Sequence, residues 1–343
     1  MYDLVIVGSG PSGLAAALAA KRRGLIYIAL ERGVLADTIY HYPRAKPLFS
    51  SSEEVELETD ALPRDQKPTR EQVLEHYNEV AARGGLNIKA GEEVLRITRS
   101  GEGFTVETDK DEYRSRTVLV AVGGFGRQRR LNVPGEDSSL VSYRFSEAEP
   151  FAGKRVLVVG GGNSAAEAAL FLAEVGASVT LSIRRSALDA EDEVDEKKIG
   201  APRARIKPWV MEPLGRAISE GSIRLITRSE VAEIRPRSAL LCAQQGAESD
   251  PVEVECDHIF ALIGADPDTR LLEEAGALIA EDGRPVYDPS TYETTVEGIY
   301  VAGHVTRELH MKNALAIAKR VAERIASQVV EKVSRLENAD CRA

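Results

Sequence analysis

Residues 5–14 read VIVGSGPSGL, with glycines at 8, 10 and 13 in the GxGxxG spacing. The flanks give that spacing its meaning. Residues 2–7, YDLVIV, form a short β-rich apolar run of the kind that makes a buried parallel strand. Residues 13–23 follow as an alanine-rich helix closed by Gly24. Residues 25–30, LIYIAL, give a second strand that leads into Glu31, 23 residues after Gly8. Each part has a physical job. Gly8 permits a tight turn, Gly10 lets the backbone approach a pyrophosphate, and Gly13 lets helix and strand pack closely. The helix N-terminus offers free N–H groups and the positive end of its dipole to phosphates. Glu31 is suited to accept hydrogen bonds from ribose hydroxyls. The alternative is a glycine turn that holds no ligand.

The same unit occurs again. Residues 154–159, KRVLVV, run into Gly160, Gly161, Gly162, Asn163, Ser164 and Ala165, and a helix is expected over 164–174 before Gly176. The strand 178–183, SVTLSI, then ends in Arg184 and Arg185 instead of an acid. Two guanidinium groups at the ribose end fit a 2′-phosphate. Two such loops point to FAD on the first and NADPH on the second, with a solvated basic edge as the plainer reading of the arginine pair. The fold class is therefore α/β, with two Rossmann-like dinucleotide-binding domains.

The 343 residues suit about two domains, and 43% apolar content is enough for their cores. A net charge of −10 argues against nucleic acid as the main partner. Residues 4–20, LVIVGSGPSGLAAALAA, are apolar, but no basic residue precedes them and Gly-Ser-Gly-Pro-Ser-Gly interrupts them. They fit strand, loop and helix better than a signal peptide or a membrane span. Cys242, Cys256 and Cys341 include no CxxC pair. So sparse a set fits a cytoplasmic protein without a disulfide framework. His304 and His310 show no metal-ligand pattern with the other histidines.

Segment 33–70 is polar and irregular, and carries the cluster from Asp37 to Pro43 and then Phe49 to Ser52. A loop of this length in a compact domain is usually functional or disordered, and its aromatic content argues against disorder. Residues 70–83 are expected as an amphipathic helix, 86–119 as antiparallel strands, and 313–336 as one long helix. The charges of 189–198, DAEDEVDEKK, read as a solvated surface segment, and Trp209 as packing at a domain edge.

Over nearly its whole length the chain resembles the thioredoxin-reductase-like flavoproteins. Besides the two loops, Ala121-Val122-Gly123 and Ile263-Gly264 with Pro267-Asp268-Thr269 look like the family's crossover motifs, and Gly298 to Gly303 resembles its last FAD motif. Within that family the chain resembles the bacillithiol disulfide reductases through residues 38–58, 67–80 and 206–223. The resemblance implies a discontinuous FAD domain (1–123 and 265–336), an inserted NADPH domain (124–264), a flexible tail (337–343), and a homodimer. It places Ile39, Tyr40, Tyr42 and Ser51 near the flavin. The full expected cofactor set on the FAD side is Gly8, Gly10, Pro11, Ser12, Gly13, Glu31, Arg32, Thr38, Ile39, Tyr40, Tyr42, Ser51, Val94, Ala121, Gly123, Gly303 and His304. On the NADPH side it is Gly160, Gly162, Asn163, Ser164, Arg184, Arg185 and Gly264.

Two departures from the family pattern decide the expected chemistry. No CxxC occurs near 141–149, and Ser12 stands where bacillithiol disulfide reductases carry a cysteine. A serine hydroxyl neither ionises usefully nor forms a mixed disulfide. In addition, His304 replaces the usual aspartate of the last FAD motif. The expected function is an FAD-dependent NADPH oxidoreductase with no catalytic side chain, whose acceptor needs no active-site dithiol: ferredoxin, flavodoxin, a quinone or a small oxidant. The alternatives are a disulfide reductase that uses a thiol from elsewhere, such as Cys341, and a catalytically silent NADPH-sensing regulator.

Overall fold

The computed structural model describes residues 1–188, 206–243, 250–308 and 310–340, with side chains described as far as 330 in the last helix. The acidic run at 189–198 and Cys341 lie outside these residues. The chain forms two compact units, one of Met1–Arg127 with Asp266–Ala343 and one of Gln128–Ala265.

The first unit is built on a seven-stranded sheet. Six strands lie in the order Ile88–Ala90, Tyr27–Glu31, Tyr2–Val7, Glu112–Val120, Gly103–Thr108, Val94–Ser100. The returning strand Ile299–Val301 pairs in parallel with the end of Glu112–Val120. Leu4 and Ile6 enter one apolar cluster while Val5 and Val7 enter another. Alternation of this kind in an unbroken apolar run is how a strand buries both faces. The small side chains from Ala15 to Ala20 pack in one cluster with Leu315, Ile317, Ala318, Val321 and Ala322 of the C-terminal helix. That helix runs from Met311 to Asp340, past the end expected at 336. No glycine or proline follows Arg335 to stop it, which is why propagation continues into the segment read as tail.

The expected antiparallel meander over 86–119 is only partly realised. Val94–Ser100, Gly103–Thr108 and Glu112–Val120 pair antiparallel in turn. Ile88–Ala90 instead pairs in parallel with Tyr27–Glu31. Gly91, at φ +70°, breaks the chain between the two strand types. Segment 33–70 contains two short helices, Asp37–Tyr40 and Ser52–Val55.

The second unit has a five-stranded parallel sheet in the order Ile223–Ile226, Ser178–Ser182, Arg155–Val159, His258–Ala261, Val141–Ser142. A three-stranded antiparallel sheet, Ser229–Arg235, Ser238–Ala243 and Val252–Glu255, completes it. Helix Asn163–Glu174 packs against helix Pro208–Ser219, where Trp209 is half exposed. No helix among the described residues is long and apolar enough to cross a membrane.

Candidate functional site

In the first unit three neighbouring parallel strands end together: Tyr2–Val7 at Gly8, Glu112–Val120 at Ala121, and Ile299–Val301 at Ala302-Gly303. The amide of Ala121 donates to the carbonyl of Val7 (2.8 Å), and that of Ala302 to Val120 (3.2 Å). The carboxyl edge of parallel strands, where the order reverses, is where open α/β sheets hold ligands.

The three glycines of the first loop differ in what demands them. Gly8 has φ +104°, and a Cβ there would stand 2.6 Å from the carbonyl oxygen of Ala121. A Cβ on Gly13 would lie 1.9 Å from the oxygen of Gly8. Both are required by the protein's own backbone. Gly10 has an ordinary extended conformation and faces open space, with no atom within 4 Å of a Cβ. Its missing side chain leaves a cradle that nothing among the described residues fills. Gly123, at φ +78°, opens on space in the same way.

The second loop repeats this division. Gly160 has φ +141°, and a Cβ would meet the carbonyl oxygen of Leu262 at 2.3 Å, while Gly162 has nothing among the described residues within 4 Å. Ala165, fully buried, occupies the third position with a methyl that the first loop could not accept. Gly264 follows strand His258–Ala261 at φ +103°, and its carbonyl accepts from the amide of Arg129 (3.1 Å).

Both loops lead into helices whose N-cap residue supplies no side-chain cap. Helix Pro11–Arg22 starts at Gly10 and helix Asn163–Glu174 at Gly162, each with no side-chain cap and no acid in its first turn. Helix Arg70–Arg83 is the contrast, since Thr69 and Gln72 form a capping box and Glu71 lies in the first turn. The two glycine-loop helices thus start on residues that offer no capping side chain, and their positive dipole ends suit an anion. Pro11 at the first helical position gives up only an N–H that would be unbonded there anyway.

Glu31 is buried and already engaged. One carboxylate oxygen accepts from the amide of Ser9 (2.8 Å) and the other from that of Gly33 (3.0 Å). Glu31 therefore ties the loop to the end of the second strand, and its remaining lone pairs are what a ribose could use. Sequence reasoning missed this clamp because the small Ser9 carries no signal of its own. Arg32 is exposed and lies 3.9 Å from Glu93.

Ser12 is buried, and its hydroxyl stands 2.6 Å from where a Cβ of Gly303 would be. Position 12 is thus beside the turn Gly303–Val305, with His304 next in the chain. Arg284, which the sequence reading missed, holds this turn. Its Nη1 donates to the carbonyls of His304 (2.8 Å) and Thr306. Burial lowers the Arg284 pKa from its ordinary value. No local motif marks an arginine whose partners lie 20 and 22 residues away.

Ile39 and Val94 are buried in apolar clusters. Thr38 and Tyr40 are exposed, and the carbonyl of Tyr40 accepts two bonds from Arg70, at 3.0 and 2.6 Å. Lys46 lies over the rings of Tyr42 (4.7 Å) and Phe49 (5.2 Å). The Ser51 amide donates to Glu54 at 2.9 Å.

In the second unit the two arginines part company. Arg185 donates to the carbonyl of Gly161, folding back on its own loop. Arg184 is exposed, 4.0 Å from Glu230. Asn163 accepts the amide of Lys207 (2.8 Å), and Ser164 is exposed. Cys256 is buried, which pushes its thiol up to about 11.

A family model described as "Pyridine nucleotide-disulphide oxidoreductase" matches residues 5–303. Bacilliredoxin reductase Bdr of Bacillus subtilis (strain 168) is 32% identical over 332 residues, covering 94% of this chain and 97% of that protein. A ferredoxin–NADP reductase of Ignicoccus hospitalis is 29% identical over 312 residues, covering 89% and 90%. Among solved structures, bacillithiol disulfide reductase Bdr (YpdA) from Bacillus cereus superposes with a TM-score of 0.84 at 31% identity, covering 95% of this chain and 99% of the other.

Proposed function

We propose, for a chain that belongs to the pyridine nucleotide-disulphide oxidoreductase family, that it is an FAD-dependent NADPH oxidoreductase whose electron acceptor requires no dithiol from this chain. FAD sits on the loop Gly8–Gly13 and NADPH on the loop Gly160–Ala165. The observation that carries the reading is the pair of open glycines, Gly10 and Gly162. Each follows the carboxyl end of a strand paired in parallel with its neighbours, at the start of a helix with no side-chain cap from its first residue.

Bound FAD supplies the group that accepts two electrons from the nicotinamide. The protein's residues bind and orient. Gly10, Pro11 and Ser12 present the first helix end to a pyrophosphate, and Glu31 offers lone pairs to a ribose. Ala121, Gly123, Gly303 and His304 follow the ends of the neighbouring strands, and in this reading Thr38, Tyr40, Tyr42 and Ser51 of the segment after Glu31 complete the flavin site. Ile39 and Val94, whose side chains belong to the core, contribute backbone. Gly162, Asn163 and Ser164 form the second phosphate cradle, flanked by Gly264. Arg184 and Arg185 supply positive charge for a 2′-phosphate. No side chain of this set need act as acid, base or nucleophile.

Ser12 sets the choice of acceptor, because a hydroxyl cannot exchange with a disulfide. Ferredoxin, flavodoxin, a quinone or a small oxidant suits such a site, and the similarity to a ferredoxin–NADP reductase supports this. The similarity to Bdr favours a second reading, a disulfide reductase that uses Cys341. The deciding experiment is anaerobic stopped-flow absorbance of the purified protein with NADPH and, separately, NADH. Rapid bleaching of the flavin band by NADPH, followed by turnover with a non-disulfide acceptor in Cys341→Ser, is the expected result. Disulfide reduction lost in Cys341→Ser would establish the second reading. A protein without flavin, or with flavin that NADPH never bleaches, would defeat both and leave the regulator.

A further inference from the structure

We infer that Glu230 sets how strongly the second site prefers a 2′-phosphorylated nucleotide, by competing with that phosphate for Arg184. The inference rests on the reading of the Gly160–Ala165 loop as the NADPH site. Arg184 Nη1 lies 4.0 Å from Glu230 Oε1, with the side chains 59% and 48% exposed. Arg185 is turned to the carbonyl of Gly161, so Arg184 is the guanidinium presented outside the loop.

The Glu230 position is built into the backbone. The amide of Arg228 donates to the carbonyl of Arg185 (2.9 Å), and that of Ser229 to Ile183 (3.1 Å). The hydroxyls of Ser182 and Ser229 pair at 2.8 Å in the interior. These three bonds clamp the start of strand Ser229–Arg235 against residues 182–185. Arg228 makes the turn at φ +50°, a left-handed conformation uncommon for a side-chain-bearing residue. The clamp thus fixes the backbone that carries Glu230 beside residues 182–185, within side-chain reach of Arg184.

An exposed ion pair of this kind is weak, and a phosphate that takes a guanidinium in two-point contact displaces it. The displaced carboxylate stays close, and its charge opposes the phosphate. Toward an unphosphorylated ribose the same carboxylate is an acceptor for hydroxyl hydrogens, the part an acid at a strand end plays for NAD. Glu230 therefore narrows the preference that Arg184 creates.

The test is isothermal titration of the purified FAD-loaded protein with 2′,5′-ADP and with 5′-AMP. Glu230→Gln is expected to bind 2′,5′-ADP about three- to tenfold more tightly, while 5′-AMP binds equally or more weakly. The gain shrinks as salt is raised, because the charges are exposed. Glu233→Gln removes the same charge from the same strand, where Glu233 pairs with Arg235 instead, and is expected to leave the ratio unchanged. A wild type that prefers 2′,5′-ADP, with a ratio unmoved in Glu230→Gln or moved equally in Glu233→Gln, overturns the role of Glu230 and leaves the site intact. A wild type that binds neither nucleotide overturns the site and the inference together.

Discussion

A Cβ added at Gly10 meets nothing, whereas one added at Gly13 falls 1.9 Å from the oxygen of Gly8. The two glycines of one motif therefore answer to different demands, and mutation separates them. Gly13→Ala forces the helix off its strand and is expected to give little folded protein. Gly10→Ala is expected to lower the thermal midpoint of the FAD-free protein by no more than about 4 °C, since alanine at a helix N-cap costs roughly 1 kcal/mol or less relative to glycine. It should nonetheless purify with much less flavin, as absorbance per protein would show. A Gly10→Ala protein that retains full flavin would contradict the cradle. Ser12 belongs to the same scale. If its hydroxyl only fills space beside Gly303, Ser12→Ala reduces its flavin with NADPH within about tenfold of the wild-type rate. Loss of reduction with FAD still bound would make the hydroxyl a participant.

Arg284 works on an element, the turn Gly303–Val305. Its guanidinium satisfies the carbonyls of His304 and Thr306, and Thr306 Oγ1 donates back to Gly303 (2.7 Å). Arg284→Met leaves two carbonyls without their charged donor, a loss of about 1.5–3 kcal/mol. The expected result is a thermal midpoint lower by about 5 °C and weaker FAD retention on dilution. Full retention with unchanged melting would show that other contacts hold the turn. The helices illustrate how unevenly elements declare themselves. Arg70–Arg83 was legible to the residue, because Thr69, Gln72 and the Gly84-Gly85 stop are local signals. The parallel pairing of Ile88–Ala90 was not, because the partner strand lies some sixty residues away and a short apolar run does not state its direction.

At the scale of the whole molecule, acid acts on both units in the same sense. His76 in the first is buried, and its Nε2 accepts the amide of Leu57 (3.1 Å). His258 in the second lies beside Phe151 and Phe260, its Nε2 3.0 Å from Ser142 Oγ. Burial lowers both imidazole pKa values from the ordinary 6.5, and Lys154 lowers that of His258 further. The unfolded chain therefore takes up protons that the folded chain refuses. The stability contributed is fully present above 6.5 and falls as pH drops through the window between 6.5 and the lower folded values. Melting followed from about pH 7 to pH 5 should show a falling midpoint, with a shallower fall in His76→Gln. A flat profile would show that neither ring resists protonation.

The sequence by itself determined the α/β class and the two glycine loops. It also determined the absence of a thiol at position 12. These are matters of spacing within about thirty residues, or of one residue's chemistry, and backbone sterics translate them directly into turns and strands. Only the tertiary structure decided which glycines the backbone consumes and which face open space. It alone turned Arg185 to its own loop and left Arg184 beside Glu230, buried Ile39 and Val94 in the core, and brought Arg284 to the last turn. Those outcomes depend on contacts between residues far apart in the chain, where packing and hydrogen-bond satisfaction choose among side-chain placements that local sequence leaves equally open.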